Sequence, residues 1–448
     1  MRLGAFERLY ETLFAEALEA GEISREERKR LDLAASALGF DSKRVASLET
    51  ALLAAWESET ADTRVEPRSF GHVDPDTLAD RAPPTSSAAP RPRARPYEDE
   101  APTVPKQGSR RRSPRPRAKP SGELSFRELH ARFEAASQRG ALDHQWRVAD
   151  VLVLRGAATP RQEAFWQQHR RPGPVRAVRG LPSSAWSSLL MHPEQDRTIS
   201  DVFAVIASAS LLGRVSAMRR DGTLPKIDPD SYHDPHTSPV GAVRAIAWSA
   251  ATLGIRPPPT YVVPSLDSGL EILSVVPPST RIGARALSGL DPANLAFACG
   301  RHLAWYREEQ FICTLVPSVA YLETIFGAAL LLGAPSVALP EDARQRALVF
   351  ARAIVPCLEP PQIDRLRDLV ARYLERGARH NLRRWARAAE WTACRAGLLL
   401  CGELQTAAAA LTNEPGGEAR IAQLETFWAS EEAGQLRAQL GVTIAVSG

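Results

Sequence analysis

The sequence predicts a mainly α-helical, multidomain protein with a small N-terminal helical bundle, a disordered linker and a large helical domain that contains a small β-sheet. Three observations support this prediction. Apolar residues recur at helical spacing before residue 57 and again after residue 124. Residues 58–123, between them, are rich in Pro, Arg and Ser. Short β-branched runs around residues 261 and 270 are typical of strands.

Cysteine usage and the apolar runs indicate the compartment. The five cysteines lack C-x-x-C spacing, which predicts reduced and mostly buried thiols. The first residues are charged and no apolar signal region follows. The longest apolar run, 325–339, contains Pro335 and is shorter than the roughly 20 residues of a spanning helix. We therefore expect a cytoplasmic protein without a membrane span.

Residues 1–57 are predicted to form a compact helical module. Ser24 is a suitable N-cap for its second helix, Gly39 ends that helix, and Asp41 caps a third. The stretch Ala-Leu-Glu-Ala-Gly-Glu-Ile-Ser-Arg-Glu-Glu-Arg, which ends at Arg28, resembles the small helical modules of the tellurite-resistance TerB type. Any three-helix bundle can show the same pattern of capping and helix-ending residues. A TerB-type module and an unrelated helical bundle therefore both stay open.

Residues 58–123 form the predicted linker because their apolar residues are too sparse to offset chain entropy. The whole chain carries a net charge of +4, whereas ten Lys and Arg face three acidic residues within 91–122. One hypothesis is weak, non-specific attraction of nucleic acid or another acidic partner, and the other is a solvated spacer. The cations at the centre of this segment are Arg110, Arg111, Arg112, Arg115, Arg117 and Lys119.

Residues 124–174 are predicted to form two antiparallel helices and a third, short helix. Thr159 and Pro160 begin the third helix, with proline at its favoured first position. The spacing of Ala149 and Gly156 resembles a tetratricopeptide-type helical hairpin. A single hairpin of this kind cannot bury its apolar face alone, so we expect it to dock on the domain that follows.

Residues 175–448 are predicted to form one large helical domain with a small β-sheet. Asp291 as N-cap and Pro292 in the first turn begin a helix that carries Arg301 and Trp305. The prolines of 228–236 predict a loop, and the alternation after it predicts strands with a hairpin. The expected elements are helices over 199–212 and 240–253 and strands over 261–263, 270–276 and 281–285.

Two helical segments carry the main functional signal. The first is Leu-Ala-Phe-Ala-Cys-Gly-Arg-His-Leu-Ala-Trp-Tyr, which ends at Tyr306, and the second is Glu-Trp-Thr-Ala-Cys-Arg-Ala-Gly, which begins at Glu390. Their order after the predicted strands resembles the HtpX-type zincin peptidases, which have a His-Glu-x-x-His helix and a later helix with a glutamate ligand. The resemblance puts the two histidine positions at Arg301 and Trp305 and the catalytic glutamate at His302. It puts the late glutamate ligand at Glu390 and the following aspartate at Cys394.

Zinc chemistry at such a site needs two imidazoles one turn apart and a carboxylate base, and this chain has neither at those positions. An arginine stays protonated and cannot bind a cation. We therefore expect an ion pair between Arg301 and Glu390, with Trp305 filling part of the space of the metal. No catalytic residue, metal ligand or cofactor is predicted. The resemblance also implies a substrate-facing strand edge, at Tyr261, Val262 and Val263 or at Leu270 and Ile272.

Residues 128–448 also resemble a family of uncharacterised bacterial proteins in which tetratricopeptide-like helices precede an inactive zincin-like unit. The segments that carry this resemblance are Trp-Arg-Val-Ala-Asp-Val-Leu-Val-Leu, from Trp146, and the two helices above. The leading hypothesis is accordingly a non-enzymatic pseudopeptidase that acts as a protein-interaction or scaffolding protein, with another protein as its partner.

Two other functions stay open. One is a metal-dependent hydrolase that uses His302 with Glu390, or His233 and His236 in a loop that otherwise forms a polar turn. The other is an electrostatic nucleic-acid adaptor that acts through the linker.

Cys394 is followed by Arg395, whose positive charge would lower the pKa of the thiol. A cysteine buried in the core is the simpler interpretation.

Overall fold

The computed structural model describes Tyr10, Phe14 and residues 25–37, 40–47, 49–50, 124–316 and 318–444. The predicted fold class is confirmed, because the described chain is mostly helical and contains one small four-stranded sheet. The linker 58–123 lies outside the described residues, and so do Ser24 and Gly39. The predictions made for them are not addressed by the structure.

In the N-terminal region, helix α1 (Arg25–Ala37) contributes Leu31 to a small cluster with Tyr10 and Phe14. Arg28 donates to the Glu49 carboxylate, with 2.7 Å between Nη2 and Oε1. The Asp41 carboxylate accepts the backbone N–H of Arg44 at 2.7 Å, so the predicted cap at Asp41 is confirmed. The TerB-type resemblance stays a prediction.

Sixteen α-helices are described in residues 124–444, of which the three-residue helix Ser183–Ala185 carries no label below, and several begin with the caps that the sequence predicts. Thr159 and Gln162 form a capping box ahead of Pro160, and Asp291 accepts the N–H groups of Ala293 and Asn294. The helices are α2 (Phe126–Gln138), α3 (Leu142–Leu154), α4 (Pro160–His169), α5 (Arg197–Arg220), α6 (Gly241–Leu253), α7 (Ala284–Ser288), α8 (Pro292–Ala304), α9 (Glu308–Phe311), α10 (Val319–Gly333), α11 (Glu341–Ile354), α12 (Pro360–Glu375), α13 (Leu382–Cys401), α14 (Leu404–Leu411), α15 (Gly417–Trp428) and α16 (Glu431–Leu440).

The hairpin of α2 and α3 docks on the C-terminal helices, as expected. Its buried side chains share one hydrophobic cluster with α6, α8 and α13 to α16, and this cluster crosses the predicted boundary at residue 174. The Asp150 carboxylate is fully buried and accepts the indole N–H groups of Trp166 and Trp428, each at 2.8 Å, and the backbone N–H of Leu404 at 3.0 Å. These bonds tie the hairpin to α14 and α15.

A second hydrophobic cluster is built mainly by α5, α9, α10 and α12. Helix α5 is long and apolar enough to cross a membrane by length and composition alone, but 56% of its most apolar window is buried inside the protein. Its Val202, Phe203 and Ile206 belong to the second cluster. The apolar run at 325–339 likewise contributes Ile325 and Phe326 to this cluster. In the described structure these two helices are therefore core helices.

The sheet consists of β1 (Tyr232–His233), β2 (Thr260–Val262), β3 (Leu270–Leu273) and β4 (Ser279–Ile282) in the order β1-β2-β4-β3. β2 and β4 are parallel, whereas β1 pairs with β2 and β3 pairs with β4 in antiparallel fashion. The predicted hairpin is therefore β3–β4. β3 is an edge strand of this sheet.

Two expectations about the sheet were wrong. Residues 232–233 were expected in a loop, but they pair with residues 260–261, a contact that proline spacing cannot reveal. Tyr261, Val262 and Val263 were one candidate for an open edge, yet β1 and β4 flank β2, and Val263 donates to the Ile282 carbonyl at 2.9 Å. The alternative candidate, at Leu270 and Ile272, lies on β3, and no other described strand lies on its outer side.

Candidate functional site

Helices α8 and α13 cross at two glycines. A Cβ atom on Gly300 would lie 2.8 Å from the Ala396 carbonyl oxygen, and one on Gly397 would lie 2.7 Å from the Phe297 carbonyl oxygen. Real Cβ atoms do not approach other atoms so closely, so both positions need glycine for the helices to pack at this distance. The crossing fixes the relative position of the side chains that α8 and α13 present beside it.

Arg301, on α8, forms the predicted ion pair with Glu390, on α13. Its Nη2 lies 3.6 Å from Glu390 Oε1, and its Nη1 donates to Glu414 Oε1 at 2.7 Å. Arg420 completes the group, at 2.6 Å from Glu390 Oε1 and 2.9 Å from Glu414 Oε2. We call these four residues the charge quartet. Two guanidinium groups and two carboxylates balance one another, so the quartet has no net charge.

His302 lies beside the quartet on α8 but faces the sheet. Its Nε2 is 2.9 Å from Thr280 Oγ1, which is 2.6 Å from the Tyr306 hydroxyl, and Tyr306 donates to the Ser279 carbonyl at 2.7 Å. Burial lowers the pKa of His302 to about 3, so this imidazole is neutral at physiological pH. The chain of hydrogen bonds holds the end of α8 against β4.

A cleft of about 910 Å³ lies between the edge strand β3 and helix α8. Leu270 and Ile272 line it from the strand, and Arg301, His302 and Trp305 line it from the helix. The volume falls within the range that is typical of ligand sites. The cleft also lies where the two hydrophobic clusters meet, because Leu270 packs against the first cluster and Ile272 against the second. The remaining lining residues are Gly269, Arg285, Ala286, Leu290, Asn294, Phe297, Ala298, Cys313, Thr314, Ala409, Ala410, Asn413 and Glu414.

The register of β3 shows which of its backbone groups are available to a ligand. Gly283 donates to the Gly269 carbonyl at 2.9 Å, so this pair is hydrogen-bonded, and hydrogen-bonded pairs alternate along an antiparallel ladder. Leu270 and Ile272 therefore occupy the intervening positions, with their N–H and C=O groups directed away from β4. Because no described strand lies on that side, these groups form an open edge.

The two other predicted site positions, Cys394 and Trp305, are buried or half-buried. Cys394 is buried, and burial raises the pKa of its thiol to about 11, so Arg395 does not activate it. The Arg395 guanidinium instead donates to the carbonyl groups of Leu190 and Met191. Trp305 is half-buried at the end of α8 and lines the cleft.

The loop that contains His233 and His236 is polar. His233 Nδ1 lies 3.0 Å from Ser238 Oγ, and Asp234 accepts the backbone N–H of His236 at 2.9 Å. Within the described part of the chain, no group of three or more His, Cys, Asp and Glu side chains is arranged to hold a metal ion. Cys299, Cys394 and Cys401 are buried and Cys313 and Cys357 are half-buried, as predicted for mostly buried thiols.

Comparison with protein-family models, curated proteins and solved structures gave no match to this chain. The zincin, tetratricopeptide and TerB resemblances therefore stay predictions, and so does the assignment of Arg301, His302, Trp305, Glu390 and Cys394 to former zinc-site positions. The contact between Arg301 and Glu390 is a geometric fact that does not depend on this assignment.

Three residues of the site carry no recognisable signal in the sequence. Glu414 and Arg420 lie more than a hundred residues after Arg301, and no motif marks them. Arg285 lies three residues after the end of β4, where the sequence predicts the end of a strand, but Gly283 is the N-cap of α7 and Arg285 belongs to that helix. The sequence does not reveal that charged residues form ion pairs beside α8, because only the fold brings α15 next to α13.

Proposed function

We propose that residues 124–444 form a non-enzymatic protein-interaction domain that binds an extended segment of another protein along β3, in the cytoplasm. The observation that carries this proposal is the open edge of Leu270 and Ile272 beside an apolar cleft. A peptide that adds to a sheet edge gains backbone hydrogen bonds, and neighbouring pockets accept its alternate side chains. Four residues of β3 span about 13 Å, which corresponds to a bound segment of about four residues.

The residues around the cleft also favour binding over hydrolysis. The resemblance would put zinc beside Arg301 and Glu390, and in the charge quartet these two side chains already pair with each other and with Glu414 and Arg420. His302 is buried against Thr280, so it does not face a bound peptide as a free base. These features support a binding role for the cleft.

Direct binding by the full chain tests the proposal. The probe is a panel of fluorescent decapeptides that alternate apolar and polar residues, and the readout is fluorescence anisotropy. Ile272→Pro removes the outward N–H without breaking the ladder to β4, because proline is tolerated at such an edge position. Ile272→Ala is the matched control, because it shortens the side chain but keeps the N–H group.

We expect Ile272→Pro to bind up to about tenfold more weakly than Ile272→Ala, which corresponds to one lost backbone hydrogen bond. Circular dichroism of both variants shows whether they keep the same helical content. Equal binding by the two variants, or no binding of any peptide by the wild type, would contradict the proposal.

A further inference from the structure

Arg285 is the one charged side chain of the cleft that lacks a counter-ion among the described residues. The cleft is lined by three ionised side chains, those of Arg285, Arg301 and Glu414. Both carboxylate oxygens of Glu414 are already taken, by Arg301 at 2.7 Å and by Arg420 at 2.9 Å. Arg285 is exposed and forms no ion pair with another described residue, so its guanidinium is available to a ligand.

The position of Arg285 relates it to one end of the edge strand. It lies two residues after Gly283, whose N–H is bonded to the Gly269 carbonyl, and both Gly269 and Arg285 line the cleft. Leu270, the first residue with outward backbone groups, follows Gly269. A peptide that pairs with β3 in antiparallel orientation places its C-terminal end here.

The rest of the lining fits an apolar ligand with one acidic group. Leu290 and Trp305 supply apolar surface, and Asn294 and Asn413 add neutral amides. His302 contributes no charge because its ring stays neutral. Asp267 lies near Gly269 in sequence, but it does not line the cleft and forms no ion pair with Arg285. A guanidinium binds a carboxylate through two parallel hydrogen bonds.

We infer that the cleft selects extended peptides that carry a carboxylate at the C-terminal end of the paired segment, next to Arg285, with apolar side chains directed into the cleft. This inference rests on the proposed peptide-binding function. The carboxylate can be a terminal one or the side chain of Asp or Glu, because the guanidinium recognises the same chemistry in both.

The test compares matched peptides on the full chain. Decapeptides with the same alternating apolar residues carry Glu, Gln or Lys near the C-terminal end, and each is made with a free and with an amidated terminus. We expect the Glu peptide to bind about fivefold more tightly than the Gln peptide, as for an exposed ion pair, and the Lys peptide to bind most weakly. A free terminus that restores tight binding to the Gln peptide would assign the site to terminal carboxylates.

Arg285→Gln should abolish the preference for the Glu peptide over the Gln peptide. The control is Arg352→Gln, which removes an exposed arginine from α11, far in sequence from the cleft residues, and should keep the preference. Binding of all peptides without charge preference, or a preference that survives Arg285→Gln, would overturn the inference and leave peptide binding intact. Failure of every peptide to bind would instead remove the proposed function itself.

Discussion

Two clusters of charged residues in this protein look similar in composition but differ in burial. The first, which we call the clasp, consists of Asp143, Arg147 and Arg437, and it joins the N-terminal hairpin to the C-terminal helix. The second is the charge quartet at the cleft. The side chain of Arg147 is 1% exposed and that of Arg437 is 5% exposed, whereas those of Arg301 and Glu414 are 24% and 36% exposed.

The surroundings of the two clusters explain their different roles. In the clasp, Asp143 bonds both arginines at 3.0 Å, and Arg147 also donates to the carbonyl groups of Trp428 and Ser430. Buried charges need such complete partners, because desolvation is costly. The quartet is partly hydrated, so its ion pairs add little free energy. Charge at the clasp therefore holds the fold together, whereas charge at the quartet shapes a surface.

The largest expected effect is at the clasp. Asp143→Ala leaves two buried arginines without their carboxylate and should lower the free energy of unfolding by about 3–5 kcal/mol. Glu414→Gln at the quartet should lower it by about 1 kcal/mol or less. Urea denaturation of both variants measures the difference. If both variants lost the same free energy of unfolding, the difference in burial would not explain how much each cluster contributes to stability.

The helix crossing beneath the quartet comes next. Gly397→Ala forces a methyl group against the Phe297 carbonyl and should cost about 1–3 kcal/mol. Gly241→Ala is the matched control, since a Cβ at Gly241, the first residue of α6, meets nothing within 4 Å. Thermal unfolding of the two variants tests whether close packing, rather than loss of glycine itself, is responsible. A stable Gly397→Ala protein would exclude the tight crossing.

Two buried residues near these clusters, Asp150 on the helix of the clasp and His302 next to Arg301 of the quartet, should make stability depend on pH in opposite directions. Burial raises the pKa of Asp150 to about 6 from 3.8, so the contribution of Asp150 to stability increases as pH falls from 6 towards 4. Burial lowers the pKa of His302 to about 3 from 6.5, so its contribution is complete above pH 6.5 and is lost as pH falls. Each slope should approach about 1 kcal/mol per pH unit within its window.

Asp150→Asn and His302→Gln remove these titrations one at a time. Relative to wild type, the Asn variant should become progressively less stable between pH 6 and 4, and the Gln variant should become relatively more stable over the same range. Urea denaturation at four pH values provides both slopes. Parallel pH profiles for wild type and either variant would show that the group does not titrate as described.

The smallest expected effect concerns metal. Incubation with EDTA should change the melting temperature by less than about 1 °C, because the removal of a structural zinc would cost far more. Mass spectrometry of the untagged protein gives the metal content independently. One zinc per chain would reverse the interpretation of the quartet and favour the hydrolase hypothesis.

Much of the helical architecture follows from local signals. The caps at Asp41, Thr159 and Asp291 were predictable because a side chain only needs to reach backbone N–H groups two or three residues away. The ion pair of Arg301 and Glu390 was also predictable, but only because the two helices resemble a known arrangement. The spacing of residues along the chain does not by itself show that two helices are in contact.

The strand edge could not be assigned from the sequence. Tyr261 and Leu270 lie in equally convincing strands, but β1, a two-residue strand within a proline-rich loop, covers the outer side of β2. Pairing of such short strands depends on contacts between residues almost thirty positions apart. Local propensity contains no information about them.

The sequence alone determined the fold class, the helix caps, the buried state of the thiols and the absence of the His-Glu-x-x-His ligands at Arg301 and Trp305, because these properties depend on residue type and short spacing. Tertiary structure decided which of the two candidate strands has an open side, brought Glu414 and Arg420 to Arg301, and left Arg285 without a counter-ion among the described residues. The physical reason is that desolvation and ion pairing depend on three-dimensional neighbours, which only the packed helices define.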